Sequence, residues 1–482
     1  MLLVGCPSCS LLKVRPWALV ATLVALQAPV IFAIDSGATL PKKAKSDQQI
    51  QQIEQSGSQD GTVSVIIRAD GKADWASLLS ALRAHGVTVG RIAPRANAIA
   101  LTISTSDLAW LETLPGVASI SIDAPVTSSP LSAEVVADEY RRRSDQEKRP
   151  ARLLGLTDID PTGSGIGVAI IDSGIAPVSD LSSRIAGVLR LYRRQAGRGD
   201  CSGGRLRPRH ARRRSRRRQR GVVGRAAAGV APNARLIGLR VLNNFGNGST
   251  SDVVAAINFA IANKSALGID ILNLSLGHPV FEAAATDPLV QAVEAASRAG
   301  LLVVVSAGNV GVNPATGQVG YAGILVPGNA PSAFTVASAK TQGTVNPSDD
   351  LIANYSSRGP SWIDGSAKPD FAAPGQDLVA PAAPGSYLAT MYPSLRVTDN
   401  FGNKSYFVLS GTSMAAGVES GLLAVALEGS RSITGSSSRI THNALKAFTE
   451  YTAFTMHDAN GTVYDGLTQG AGRVNGQGLS SW

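Results

Sequence analysis

Hydrophobic positions recur with two different periods along the chain. In TVSVIIRA (62–69) apolar and polar residues alternate as in a half-buried strand, and ADWASLLSALRAHG (73–86) has helical spacing ended by Gly86. VTVGRIAP (87–94) and AIALTIST (98–105) read as a strand pair. SDLAWLETLPG (106–116) reads as a helix capped by Ser106 and stopped at Pro115 and Gly116, and VASISIDAP (117–125) as a last strand. That order is β-α-β-β-α-β, the split βαβ or ferredoxin-like pattern of a small α+β domain over 62–124.

From residue 163 onward the texture changes. GIGVAIID (165–172), ARLIGLRVL (234–242), GIDILNLSLG (268–277), GLLVVVSAGN (300–309) and SAFTVASA (332–339) are near-continuous apolar runs, the pattern of strands buried on both faces. Helical stretches such as SDVVAAINFAIANKS (251–265) and DPLVQAVEAASRAG (287–300) lie between them. The expected fold class is α/β, a parallel sheet with helices on both faces, spanning about 153–482. Residues 34–61 are polar and read as a flexible lead-in, and 125–152 as an exposed, protease-accessible linker.

The first 33 residues read as an export signal. Lys13 and Arg15 precede WALVATLVALQAPVIFA, which ends at Ala33 in a small-residue context and is short, with Pro29 inside it, for a membrane span. A secreted or periplasmic protein without a stable membrane anchor is the expectation. Cys6 and Cys9 would leave with the signal, so only Cys201 remains and no intramolecular disulfide is expected.

Charge is concentrated in one place. The 482-residue chain carries +10, but fourteen arginines and one aspartate fall between Arg190 and Arg220, and without that segment the net charge is −3. The tract would attract phosphates in a salt-dependent way, so polyanion binding is a remote alternative function. It carries no aromatic residue from 195 to 220, and no specific nucleic-acid partner is expected.

Chemistry in an open parallel sheet collects at the carboxyl ends of its strands. Asp172 ends one apolar run and Asn309 another, though either residue also suits a turn. Ser413 lies where a loop enters a long apolar helix, a position equally suited to a helix cap or to a nucleophile at the positive end of the helix dipole.

The ordered set GVAIIDSGI, ILNLSLG, VVVSAGN, KPDFAAPG and SGTSMAAG resembles the subtilisin-like serine peptidases (subtilases, peptidase family S8) over about 160–480, and the 62–124 module is similar to their inhibitor and chaperone propeptide. The resemblance implies a serine endopeptidase made as a proenzyme and acting on protein and peptide substrates. Ser413 matches the nucleophile, Asp172 the carboxylate that orients the base, and Asn309 the oxyanion-hole donor. Ser275, Leu276 and Gly277 match the strand that pairs with the substrate backbone. The propeptide would act as an intramolecular inhibitor and the chain as a monomer. No cofactor is implied, and although structural calcium is common in the family, no ligand set can be assigned.

Two departures stand out. Gly417 occupies a position that is usually proline. More seriously, the base motif His-Gly-Thr-His-Val-Ala-Gly is missing: of His85, His210, His278, His442 and His457, only His210 lies between Asp172 and Ser413, in the unrelated context RPRHARRR. Sliding the reading frame of Leu206–Arg214 forward by one base fixes the first and third base of each new codon and leaves the middle one free. Those bases accept Tyr-Gly-His-Gly-Thr-His-Val-Ala-Gly. Residues 187 to about 228 are therefore read as out of frame and expected to form an ill-packed excursion beside Asp172 and Ser413. The alternative to a working endopeptidase is a catalytically inactive homologue.

Overall fold

The computed structural model describes residues 45–56, 61–71, 74–128, 150–157, 160–191, 229–313, 316–397, 406–434 and 440–480. The export-signal reading, the arginine tract and most of the linker lie outside these residues. Everything below concerns one compact unit.

The lead-in is not wholly unstructured. Helix α1 (Gln48–Gln55) forms within it, capped by Asp47, whose carboxylate accepts from Ile50 N at 2.8 Å, and it buries Ile50. The α+β module follows as β1 (Thr62–Ala69), α2 (Trp75–Ala84), β2 (Thr88–Ala93), β3 (Ala98–Ser104), α3 (Leu108–Thr113) and β4 (Val117–Ile122). Its strands form one antiparallel sheet in the order β2-β3-β1-β4. The alternation in β1 works as expected, with Val65 and Ile67 in the module's own core, while Ile66 joins the larger core of the neighbouring sheet. Ser106 does not cap α3; its hydroxyl pairs with Ser104 and Asp107, and a turn of 3₁₀ helix precedes the α-helix.

The expected linker begins as a strand. β5 (Pro125–Ser128) lies between two short strands of the second domain, β9 (Asn247–Ser249) and β11 (Leu276–Gly277), with Val126 fully buried. The linker's far end is ordered too: a short helix (Pro150–Leu153) buries Leu153, Leu154 and Leu156.

The second domain is built on β6 (Gly167–Asp172), β7 (Ile185–Arg190), β8 (Arg235–Arg240), β10 (Ile271–Leu274), β12 (Leu302–Ser306), β13 (Phe334–Lys340), β14 (Leu351–Ile352) and β15 (Phe371–Pro374). The order is β14-β13-β12-β10-β6-β8-β7, with β15 alongside β13 and every pairing parallel except that of β14. Residues 187–190 therefore belong to a regular strand, β7, and not to an aberrant excursion: they pair with Ile237–Arg240. The apolar runs become strands because both sheet faces are covered. Helices α4 (Thr250–Leu267) and α5 (Pro288–Arg298) pack on one face, and the 23-residue α7 (Thr412–Thr434) packs on the other. A shorter helix, α6 (Tyr387–Met391), precedes α7 in a hairpin beside the strands β16 (Leu378–Pro381), β17 (Arg396–Val397) and β18 (Tyr406–Leu409). Gly417 does not interrupt α7 and faces open space.

The module docks where α4 and α5 begin. Asp123 accepts from Ser251 N at 2.8 Å and Ser251 Oγ at 2.6 Å, and Arg91 pairs with Asp252 at 2.7 Å. Near α5, Arg68 Nη1 donates to Ala285 O at 2.9 Å and Ser119 Oγ to Thr286 O at 3.2 Å. Ser251 N, a backbone donor in the first turn of α4, thus finds its partner on Asp123.

Candidate active site

Three strands of the parallel sheet deliver their chemistry to one end. β6 stops at Asp172, β10 runs into Ser275, and β12 leads to Asn309. On the other side of the cleft, α7 begins at Thr412, so Ser413 sits in its first turn with the helix dipole behind it. Asp172, Ser275 and Ser413 line one cavity of about 420 Å³. Asp172 ends a strand and Ser413 starts a helix, as the apolar pattern suggested, and the fold brings them together with Ser275.

Ser413 is held by direct contacts across the sheet. Its Oγ donates to Ser275 O at 3.3 Å, and Ser275 Oγ lies 3.2 Å from both Ser413 O and Asn273 Oδ1. Asn273 Nδ2 in turn donates to Ser420 Oγ at 3.0 Å, about two turns further along α7. This chain of bonds ties the start of α7 to the end of β10.

Asn309 is locked by a residue that the sequence reading did not single out. Its Oδ1 accepts from both the backbone N and the Oγ1 of Thr412, each at 2.9 Å, and Gly308 N donates to Thr412 Oγ1 at 3.2 Å. With Oδ1 engaged, Nδ2 is left on the side of Gly411, where an added Cβ would approach it to 3.2 Å. The only signal for Thr412 was its adjacency to Ser413.

Asp172 keeps partial access to the cavity, and the surrounding protein pushes its carboxyl above the usual carboxylate range. The hydrogen bond from Ser173 N opposes that shift. No described histidine lines the cavity. His85 stacks on Trp110 in the module, with ring centroids 3.6 Å apart. His278 is buried with Nδ1 2.7 Å from Pro279 O, His442 packs edge-on against Phe334, and His457 lies in a bridge with Val463. His210 is outside the described residues.

Ser275, Leu276 and Gly277 run along the cleft, with Leu276–Gly277 forming β11. β5 pairs with it antiparallel, Leu276 opposite Ser128 and Gly277 opposite Thr127, and pairs on its other edge with β9 (Asn247–Ser249). Ser128 lines the cavity that holds Ser413 and Asp172. A segment of the N-terminal module's exit chain thus lies as the middle strand of a three-stranded sheet that ends at the candidate nucleophile. Gly277 is required on its far side: a Cβ there would stand 2.4 Å from Val326 O. Gly277→Ala is expected to cost about 1–3 kcal/mol by forcing that backbone apart, measurable as a lowered unfolding midpoint.

The sequence profile described as the subtilase family matches residues 163–478. The chain belongs to the subtilase family. Serine protease AprX of Bacillus subtilis (strain 168) is 34% identical over 285 residues, covering 57% of this chain and 59% of AprX. Subtilisin of Bacillus sp. (strain TA39) is 35% identical over 205 residues, 42% of each chain. This subtilase therefore spans about half the length of these relatives. Among solved structures, fervidolysin from Fervidobacterium pennivorans, a keratinolytic enzyme related to subtilisin, aligns with 88% of this chain and 61% of its own at a TM-score of 0.57 and 18% identity, a likeness of fold. The expected subtilisin-like α/β sheet is the fold observed.

Among the described residues, no group of three or more His, Cys, Asp or Glu side chains is placed to hold a metal ion. No helix among them is long and apolar enough to cross a membrane.

Proposed function

We propose that this subtilase is an exported serine endopeptidase precursor whose own N-terminal module occupies the substrate cleft, and that the chain as it stands lacks the general base. Ser413 is the nucleophile that forms the acyl-enzyme. Asp172 is the carboxylate that orients an imidazole, and Asn309 Nδ2 is the oxyanion donor. Ser275, Leu276 and Gly277 hold the substrate backbone. The observation that carries this reading is the pairing of Pro125–Ser128 with Leu276–Gly277, which runs a strand toward Ser413 as an extended substrate would run. The apolar run ending at Ala33 supports export, and the β-α-β-β-α-β module supports a propeptide role.

The inactive reading has its own support: none of the four described histidines reaches the cavity with Asp172 and Ser413. A hydroxyl with no base beside it stays protonated and is a poor nucleophile. The nucleotide sequence across residues 185–230 distinguishes a displaced reading frame from a genuine arginine-rich insertion.

At the protein level, intact-mass analysis of the purified chain and of Ser413→Ala is expected to show the same uncut species, with no cleavage between 125 and 152. Efficient cleavage in that interval that disappears in Ser413→Ala would show that a base is present after all.

A further inference from the structure

The cavity beside Ser413 has a wall that peptide-bond chemistry does not need. Phe245, in the loop between β8 and β9, meets Tyr387 of α6 edge to face, with ring centroids 5.4 Å apart. Tyr392 lines the same cavity. These three aromatic side chains remain 67%, 40% and 38% exposed. Large apolar groups gathered around one concave site, uncovered, mark a place where a ligand covers them.

The wall is a built feature. Asn243 Oδ1 accepts from Phe245 N at 2.8 Å and Asn247 N at 3.2 Å, and Gly246 N donates to Asn243 O at 3.2 Å, which fixes the loop. Across the cleft, Ser386 caps α6 by accepting from Ala389 N at 3.2 Å. Leu388 anchors α6 on Leu395, Phe407 and Leu409.

β5 shows which position of a bound strand meets this wall. Ser128 stands opposite Leu276 and lines the cavity, and its backbone N donates to Gly246 O at 3.1 Å. A Cβ at Gly246 would lie 2.6 Å from Ser128 Oγ, so the glycine (φ +80°) leaves clear the path that this side chain takes. A serine hydroxymethyl leaves most of a cavity of about 420 Å³ unfilled.

We propose that Phe245, Tyr387 and Tyr392 form a specificity-determining subsite that takes a bulky aromatic side chain from the substrate residue in register with Leu276. The proposal rests on the reading of the cleft given above. The chain's own β5 then leaves the subsite open, since it offers serine where the wall fits an aromatic ring. A self-segment that fills the cleft by its backbone while leaving the subsite open can be displaced by a substrate that fills both.

Hydrogen exchange in the full-length chain carrying Ser413→Ala tests the subsite without requiring catalysis. Ser128→Phe is expected to slow exchange of the amides at 126–128 by roughly tenfold or more, the scale on which apolar pockets discriminate side chains. The slowing should vanish when Phe245→Ala and Tyr387→Ala are added, while Ser128→Asp should speed exchange. Unchanged or faster exchange in Ser128→Phe, or slowing that survives removal of the two rings, overturns the subsite. Failure of the catalytic reading would appear separately, as absence of hydrolysis after the base motif is restored, and would leave this exchange result standing.

Discussion

Recoding residues 187 to about 228 in the frame that yields His-Gly-Thr-His-Val-Ala-Gly is expected to raise kcat for peptide hydrolysis by about 10⁶, the factor found when the triad's base is removed from a subtilisin. On the proposed reading, the other groups that the reaction needs lie among the described residues. Ser413 is oriented by Ser275 and by the start of α7, and Asn309 is held by Thr412 through its Oδ1. Asp172 waits at the end of β6 in the same cavity, its carboxyl raised by burial. An imidazole placed between Asp172 and Ser413 would take the hydroxyl proton as the bond to the scissile carbonyl forms, and the resulting imidazolium would pair with the carboxylate. That pairing would also bring the Asp172 pKa down. Hydrolysis of a chromogenic peptide by the recoded chain checks the expectation, with Ser413→Ala in the same background as the zero point. A recoded chain that is folded and freed of its N-terminal module, yet hydrolyses no faster than the present one, would sink the assignment. His210→Ala in the chain as written should change nothing.

The parallel sheet was legible because its strands are buried on both faces and so spell continuous apolar runs, such as GIGVAIID for β6. The positions of Asp172 at a strand end and Ser413 at a helix start were legible because such ends gather at one side of a parallel sheet. Either residue also suited a turn or a cap, and their roles came only from the resemblance to subtilases. What escaped were short elements whose stability comes from distant partners. Pro125–Ser128 is four residues long and starts with proline; nothing local makes it a strand, and its two pairing partners lie more than a hundred residues away. Helix α1 reads as a polar stretch because Ile50 is its one fully buried side chain; Asp47 three residues before it was the available sign. Phe245 and Tyr387 meet only in the folded chain, 142 positions apart in sequence. Glu282 and Glu419 look like ordinary surface acids in sequence, yet both are buried.

Those two buried acids set an expected fall in stability between about pH 4.5 and pH 8. Burial pushes the carboxyls of Glu282 and Glu419 up from 4.5 to about 8, and in Glu282 the neighbouring Asp287 carboxylate adds to the shift. An acid that binds its proton more tightly in the folded chain stabilises the fold fully below its unfolded pKa. The contribution is then lost as pH rises toward the folded pKa, at about 1.4 kcal/mol per unit. The sum is several kcal/mol for each group, comparable with the whole stability margin of a domain. The two act on different parts of the molecule. Glu419 lies within α7, fully buried with neither oxygen hydrogen-bonded, so Glu419→Gln should flatten the pH dependence of global unfolding. Glu282 faces the docked module, in a cluster with Asp47 and Arg68 of the module and with His278, Asp287 and Arg298 of the second domain. Its ionisation adds a negative charge beside Asp287 and Asp47, so rising pH should loosen the N-terminal segment and module where Gln48, Arg68 and Ser119 bond to the 281–286 segment. Hydrogen exchange at 45–56 and 62–69 across pH 5–8, corrected for the intrinsic pH dependence of exchange, should show that loosening, and Glu282→Gln should remove it without altering the Glu419 effect. A melting temperature that holds steady or climbs over this range, with both glutamine variants indistinguishable from the parent, would refute the assignment of these carboxyls as protonated at neutral pH.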